Sequence, residues 1–173
     1  PWSQGLEILA NLDQLTIAAI QGPCLGAGME LVLACDFRIA ANTAFFSLPQ
    51  VLYGSPPDTS QSYRLAQLIG LAKAKEILIL GERFDASQAE HWGLLTKVVE
   101  TENLQEETQQ LVERCLKVGG KAAVVAKHLL HRSGTLEQEA WRAEISRARS
   151  AALEEKDFAE AMRIYRDERK PQI

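Results

Sequence analysis

The spacing of apolar residues changes along the chain and predicts where its first helices and strands lie. Between Leu6 and Leu15, apolar residues recur at roughly helical spacing, which predicts a helix over residues 4–14. The apolar, β-branched run over residues 16–20 is bounded by a Gly-Pro pair and is typical of a buried strand. A second helix is predicted over residues 27–35, directly after a run of small residues.

The remaining pattern changes from short strands to helices. Strands are predicted over residues 36–41 and 44–47, and a loop over residues 54–58 ends at the start of a helix. From Thr59 onward the spacing is helical, with a single strand over residues 95–99. The predicted helices cover residues 59–69, 71–80, 86–92, 102–117, 121–132, 135–155 and 157–167. Alternating strands and helices followed by helices alone predict an α/β core with a helical C-terminal layer.

Composition excludes several classes of protein. Apolar residues make up 46% of the 173 residues, which excludes a disordered chain. The net charge of −4 is spread along the chain, and no basic cluster favours nucleic acid as a partner. No signal peptide and no apolar run long enough to span a bilayer is recognisable in the sequence. We therefore expect a protein of the cytoplasm, or of an organelle whose targeting segment is absent here, with no membrane partner. The three cysteines are odd in number and lack a paired metal spacing, so we expect free thiols and no metal.

The turn over residues 26–28, Gly-Ala-Gly, is the first candidate for chemistry. Small residues allow a substrate to approach the backbone closely. The amides of a helix's first turn have no acceptor within the helix and lie at the positive end of its dipole. The N–H of Ala27 can therefore donate to a developing oxyanion, and Glu30, one turn further on, can face the same cavity. The alternative is structural, since an acidic residue early in a helix often only complements the dipole.

Residues 17–41 read IAAIQGPCLGAGMELVLACDFRIAA. This segment resembles the signature of the crotonase superfamily, the enoyl-CoA hydratases and isomerases. The similarity continues through residues 46–65, 70–81 and 86–95 and ends at residues 165–171, so that it covers nearly the whole chain.

The resemblance implies a fold, a substrate class and an assembly. The fold is α/β: a crotonase-like spiral of ββα turns, present in part over residues 1–100, followed by a helical C-terminal trimerisation region over residues 101–173. The substrate is an acyl-CoA or related acyl thioester, with coenzyme A as part of the substrate and no other cofactor. The assembly is a homotrimer or hexamer.

The resemblance also assigns the oxyanion site. Ala27 matches one of two backbone N–H donors to the thioester oxygen, and Leu25 and Gly26 lie in the substrate pocket. The other donor belongs to the family's N-terminal part. The chain opens on Pro1 rather than on methionine, and we expect it to lack that part.

Gln50 and Asp58 bear on which reaction takes place. Hydration of an enoyl thioester requires an activated water and a proton for carbon, which two carboxylates can share. Glu30 matches the first glutamate of the family's hydratases, whereas Gln50 stands where the second would fall. An amide does not exchange protons near neutral pH, so Gln50 is either a neutral pocket residue or one that orients water. Asp58 matches the catalytic aspartate of dienoyl-CoA isomerases and the nucleophilic aspartate of chlorobenzoyl-CoA dehalogenases, although it can equally be a helix N-cap.

Two further positions match the family. Asp36 follows the helix that the glycine turn begins, and we interpret it as a structural hydrogen-bonding residue. Tyr165 resembles an aromatic position that lies near the CoA adenine in relatives, with core packing as the alternative.

The sequence therefore predicts an acyl-CoA enzyme that stabilises an enolate in an oxyanion hole, with double-bond isomerisation or hydration as the reaction. Glu30 would be the acid/base and Asp58 its partner. The alternatives are a thioester decarboxylase or dehalogenase on the same scaffold, or a non-catalytic crotonase-like oligomer.

Overall fold

The computed structural model of the chain describes residues 2–56, 61–118, 120–132 and 137–153, together with residues 160, 162, 163 and 166. Its strands and helices are α1 (Trp2–Ala10), β1 (Ile17–Ile20), β2 (Pro23–Leu25), α2 (Ala27–Leu33), β3 (Phe37–Ala41), β4 (Phe45–Ser47), α3 (Gln61–Ile69), α4 (Leu71–Leu80), β5 (Phe84–Asp85), α5 (Ala86–His91), β6 (Lys97–Val99), α6 (Leu104–Lys117), α7 (Lys121–Arg132) and α8 (Gln138–Leu153). Short 3-10 helices cover Pro49–Tyr53 and Thr101–Asn103. The predicted order, an α/β core followed by helices, is confirmed.

The strands form two sheets of three. β1, β3 and β6 lie in parallel in the first sheet, where Ala40 is paired with Val98. In the second sheet β2 is parallel to β4, with Cys24 beside Phe46, and β5 is antiparallel to β4, with Phe84 beside Phe46. β1 and β2 enter different sheets before α2, and β3 and β4 do the same after it. This repeated distribution of strand pairs is the ββα spiral that was expected.

The main hydrophobic core holds α2 in place. Phe46 is fully buried, and its ring stacks on Phe84 with 5.4 Å between ring centroids. Trp92 packs against the Phe84 ring in turn, with 5.2 Å between the ring centroids. Met29 and Leu33, four residues apart on α2, belong to the same core. Because one face of α2 is buried in this way, the positions of its remaining side chains are fixed.

Two strands were not predicted. β2 and β5 have three and two residues, which is too short to show a period of two, and they form by pairing with β4. The prediction of a single strand among the later helices is therefore wrong. The first helix also ends at Ala10 rather than at residue 14, because the Asn11 side chain donates to the carbonyl of Glu7 and closes the last turn.

The chain divides into two compact units, Pro1–Cys115 and Leu116–Ile173. In the second unit α7 packs on α8, with an ion pair between Arg132 and Glu144. The division at residue 100 stays a prediction. Across the described part of the chain, no helix is both long and apolar enough to cross a membrane.

Candidate active site

The glycine turn has a backbone conformation that only glycine adopts easily. Gly26 has φ of 50° and ψ of −115°, and its N–H donates to the carbonyl of Ser47 at 3.0 Å. The Ser47 hydroxyl in turn donates to the carbonyl of Gly81 at 3.0 Å, away from solvent. The turn that ends β2 and begins α2 is therefore anchored to β4.

The first turn of α2 presents backbone donors. Gly26, the N-cap, has no side chain to accept from them. The N–H of Ala27 donates to no acceptor among the residues that the structure describes, and Ala27 is exposed. The carbonyl of Gly26 accepts from the N–H of Glu30 at 3.0 Å, which closes the first turn of the helix. The open donor and the acidic residue are thus three residues apart on one helical turn.

Glu30 is a buried carboxylate with a donor on each oxygen. Glu30 is only 5% exposed to solvent. Gln50 Nε2 donates to Oε1 at 3.0 Å, and Trp2 Nε1 donates to Oε2 at 2.6 Å. The three side chains come from α2, the 3-10 helix over Pro49–Tyr53, and α1. Both donors are neutral, so they satisfy the carboxylate without an opposite charge.

Gln50 has a fixed amide orientation and an open acceptor. The 3-10 helix that carries it ends at Gly54, whose φ of 74° lies in the left-handed region. Because Gln50 Nε2 donates to Glu30, a flipped amide would set two acceptor oxygens against each other. Gln50 Oε1 therefore faces away from Glu30. This oxygen is buried and has no hydrogen-bond partner in the described part of the chain. A buried acceptor without a partner costs about 1–3 kcal/mol, so this atom is suited to a donor from a ligand or water.

The structure brings most of the predicted site residues together. Glu30 and Gln50 are in contact, and Leu25, Gly26 and Ala27 lead directly into the helix that carries Glu30. Leu25 and Gly26 are half-buried. The two remaining predicted positions, residues 58 and 165, lie outside the described residues, and their roles stay predictions.

Trp2 is the site residue that sequence reasoning missed. It is 47% exposed, yet its only polar atom donates to the buried Glu30 carboxylate. A signal was present in the sequence, since Trp2, Leu6 and Ala10 are spaced by four residues and share one face of α1. Leu6 and Ala10 are buried, so Trp2 lies on the packed face of that helix.

The C-terminal end of α2 is fixed by two further side chains. The Arg38 guanidinium donates to the carbonyls of Cys35 at 2.6 Å and Leu94 at 2.7 Å, and burial lowers its pKa. Asp36 Oδ2 accepts from the N–H of Thr16 at 2.7 Å and from its hydroxyl at 2.9 Å. The structural role that was expected for Asp36 is confirmed. With both ends of α2 anchored, the helix is a rigid support for Glu30.

The cysteines lie apart from this site. Cys24 is buried, and burial raises the pKa of its thiol to about 12, which favours the unreactive protonated form. Within the described residues, no group of three or more His, Cys, Asp or Glu side chains is arranged to hold a metal ion.

Comparison with known proteins identifies the family. The model of the enoyl-CoA hydratase/isomerase family matches residues 2–173. The chain is 43% identical over 103 residues to a short-chain-enoyl-CoA hydratase of Clostridioides difficile, covering 60% of this chain and 66% of that protein. The chain therefore belongs to the enoyl-CoA hydratase/isomerase family, within the crotonase superfamily.

Solved structures confirm the fold. The enoyl-CoA hydratase of Bacillus anthracis superposes with a TM-score of 0.92 at 32% identity, covering 99% of this chain and 66% of that one. A Thermobifida fusca YX protein solved in complex with acetoacetyl-CoA superposes with a TM-score of 0.82 at 30% identity, covering 87% of this chain and 59% of that one. The chain spans about half to two thirds of the length of the curated relatives it matches.

Proposed function

We propose that the protein is an acyl-CoA enzyme that isomerises or hydrates the double bond of an unsaturated acyl thioester through an enolate. The observation that carries this proposal is the Glu30 carboxylate, buried and held by Trp2 and Gln50 one helical turn from an open backbone donor. Family membership supports the substrate class, as does the acetoacetyl-CoA complex of the related Thermobifida fusca protein.

The N–H of Ala27 is the proposed donor to the thioester oxygen. Negative charge gathers on that oxygen when the enolate forms, and a donor already in place lowers the energy of this state. Losing one such donor typically costs about 2.7–4 kcal/mol of barrier. Leu25 and Gly26 would form the adjoining wall of the substrate pocket, where the absence of a side chain at Gly26 lets the thioester approach the backbone.

Isomerisation needs only one group that carries a proton. Glu30 would remove a proton from carbon 2 of a 3-enoyl thioester, and the electron pair would pass into the enolate at the Ala27 N–H. The protonated Glu30 would then return the proton to carbon 4, leaving a 2-enoyl thioester. The atoms balance with no other reactant, and Gln50 keeps the carboxylate oriented through both transfers.

Hydration is supported by a specific observation, the open acceptor at Gln50 Oε1. A water that donates one hydrogen to this atom and the other to Glu30 would be held in place for attack on carbon 3 of a 2-enoyl thioester. Glu30 would take the water proton as the carbon–oxygen bond forms and would then deliver it to carbon 2 of the enolate. One carboxylate and one amide suffice for this sequence.

Several finer assignments belong to the same proposal. Asp58 would be a second acid beside Glu30, and Tyr165 a contact to the CoA part of the substrate. The active form would be a homotrimer or hexamer located in the cytoplasm, with coenzyme A entering only as part of the substrate.

Incubating the full-length protein with 2-enoyl-CoA and 3-enoyl-CoA substrates tests the proposal and separates its two reactions. Hydration raises the product mass by one water, whereas isomerisation leaves the mass unchanged. Mass spectrometry after chromatographic separation distinguishes the two. Replacing Glu30→Gln should lower kcat/KM by about 10²–10⁴-fold, because the amide cannot carry the proton.

The matched control is Glu76→Gln, which makes the same chemical change at an exposed carboxylate paired with Lys73 at 2.6 Å. This variant should turn over substrate like the wild type. If Glu30→Gln kept wild-type kcat/KM, the acid/base role would be excluded.

A further inference from the structure

The indole of Trp2 makes an unusual use of its hydrogen-bonding group. Trp2 Nε1 donates to Glu30 Oε2 at 2.6 Å, while Gln50 Nε2 donates to the other oxygen at 3.0 Å. The donors come from different elements, so the plane of the carboxylate is restrained on both sides. A carboxylate oxygen can accept more than one hydrogen bond, so each oxygen of Glu30 retains a lone pair for a substrate proton.

The placement of α1 explains how Trp2 reaches the site. Leu6 and Ala10 are 2% and 4% exposed and share a hydrophobic cluster with Ala34, at the end of α2. Ala34 follows Glu30 by four residues, and Trp2 precedes Leu6 by four. The face of α1 that packs near Ala34 thus continues, one turn earlier, to the indole on Glu30.

Core packing alone does not account for Trp2. The residue is 47% exposed, whereas Leu6 and Ala10 on the same face are almost fully buried. Its N–H donates to the buried carboxylate of Glu30 rather than to a backbone carbonyl. An indole is a donor only and cannot exchange its proton near neutral pH.

We propose that Trp2 is a positioning residue, which holds the Glu30 carboxylate in the orientation that proton transfer at the substrate requires. This inference rests on the proposed function, because it assumes that Glu30 transfers the proton. Trp2 itself neither gives nor takes a proton. Its loss should therefore slow the chemical step and leave substrate binding unchanged.

The kinetic test removes the N–H with and without a change of shape. Trp2→Phe removes the donor and replaces the indole by a smaller ring. Incorporation of the benzothiophene analogue of tryptophan at position 2 alone replaces only the N–H by sulfur. A hydrogen bond to a charged group is worth about 1.5–3 kcal/mol, so loss of most of it should lower kcat by about tenfold or more. KM should stay at the wild-type value in both variants.

The control lies on the same helix. Glu7 forms an ion pair with Arg64 at 3.0 Å, and Glu7→Gln weakens the attachment of α1 without touching the indole. We expect wild-type kcat from this variant. Wild-type kcat in the benzothiophene variant would overturn the proposal, as would a rise in KM with kcat unchanged.

A spectroscopic test decides whether the bond exists in solution without relying on activity. The chain has three tryptophans, and the indole N–H resonance of Trp2 is identified in ¹⁵N-labelled protein by its absence from Trp2→Phe. In Glu30→Gln this resonance should move upfield, because a neutral acceptor deshields the proton less, while the Trp92 resonance stays in place. An unmoved Trp2 resonance would refute the positioning role. Unchanged turnover in Glu30→Gln together with a moved resonance would instead refute the proposed function and leave the bond established.

Discussion

Replacing Gly26 with alanine tests whether the turn before α2 requires glycine for its backbone conformation. A Cβ at this position would meet no heavy atom within 4 Å, so alanine would not clash. The cost would come from φ of 50° with ψ of −115°, which lies outside the regions that L-residues adopt readily. A residue held in such a conformation costs about 1–3 kcal/mol, and we expect Gly26→Ala to destabilise the fold by that amount.

Gly28 provides a matched control two residues away. A Cβ there also meets no heavy atom within 4 Å, but Gly28 lies inside α2 with an ordinary helical backbone. Gly28→Ala should therefore stabilise the fold by up to about 0.5–1 kcal/mol, the advantage of alanine over glycine in a helix interior, of which a first-turn position gains a part.

Urea unfolding followed by circular dichroism measures both variants against the wild type. The expected result is opposite shifts of the midpoint, downward for Gly26→Ala and upward for Gly28→Ala, at equal slopes. Equal midpoints for Gly26→Ala and the wild type would refute the argument from φ. An equal loss in both variants would show that space rather than backbone conformation limits the turn.

Two further predictions concern residues near this turn. Ser47→Ala should cost about 1–3 kcal/mol in urea unfolding, because it leaves the buried carbonyl of Gly81 without its donor, whereas the same change at the exposed Ser55 should cost far less. The raised pKa of the Cys24 thiol, about 12 against 9.0, means that the folded protein holds this proton after the unfolded chain has lost it. The free energy of unfolding should then fall as pH rises from 9 to 12, more steeply for the wild type than for Cys24→Ala, and parallel pH profiles would contradict the assigned burial.

The glycine turn and Glu30 could be predicted from the sequence because both depend on local structure. A run of small residues between a strand and a helix fixes the turn within a few positions, and Glu30 follows on the first turn of that helix. Asp36 could be assigned a structural role from its position between α2 and β3, but its partner, Thr16, is 20 positions earlier in the chain and was not predicted.

The bond between Trp2 and Glu30 and the strand β5 could not be predicted, because both depend on contacts between distant segments. The spacing in α1 indicates that Trp2 lies on the packed face of that helix, but it does not specify Glu30, 28 positions away, as the partner of the indole. β5 consists of two residues that become a strand only by pairing with β4. Two residues are too few for β-strand propensity to predict a strand. The side-chain oxygen of Gln50 is a comparable case, because it faces away from Glu30 once the side-chain nitrogen donates to that carboxylate, and it has no partner among the described residues.

The central claim, that Glu30 transfers the proton at carbon 2 of an acyl thioester, is tested most directly by deuterium exchange. A saturated acyl-CoA can be neither hydrated nor isomerised, so deuterium that enters carbon 2 in D₂O reports enolate formation alone. The full-length wild type should incorporate deuterium at carbon 2, observed by NMR, and Glu30→Gln should do so at least about a hundredfold more slowly. Exchange at the wild-type rate in Glu30→Gln would contradict the account.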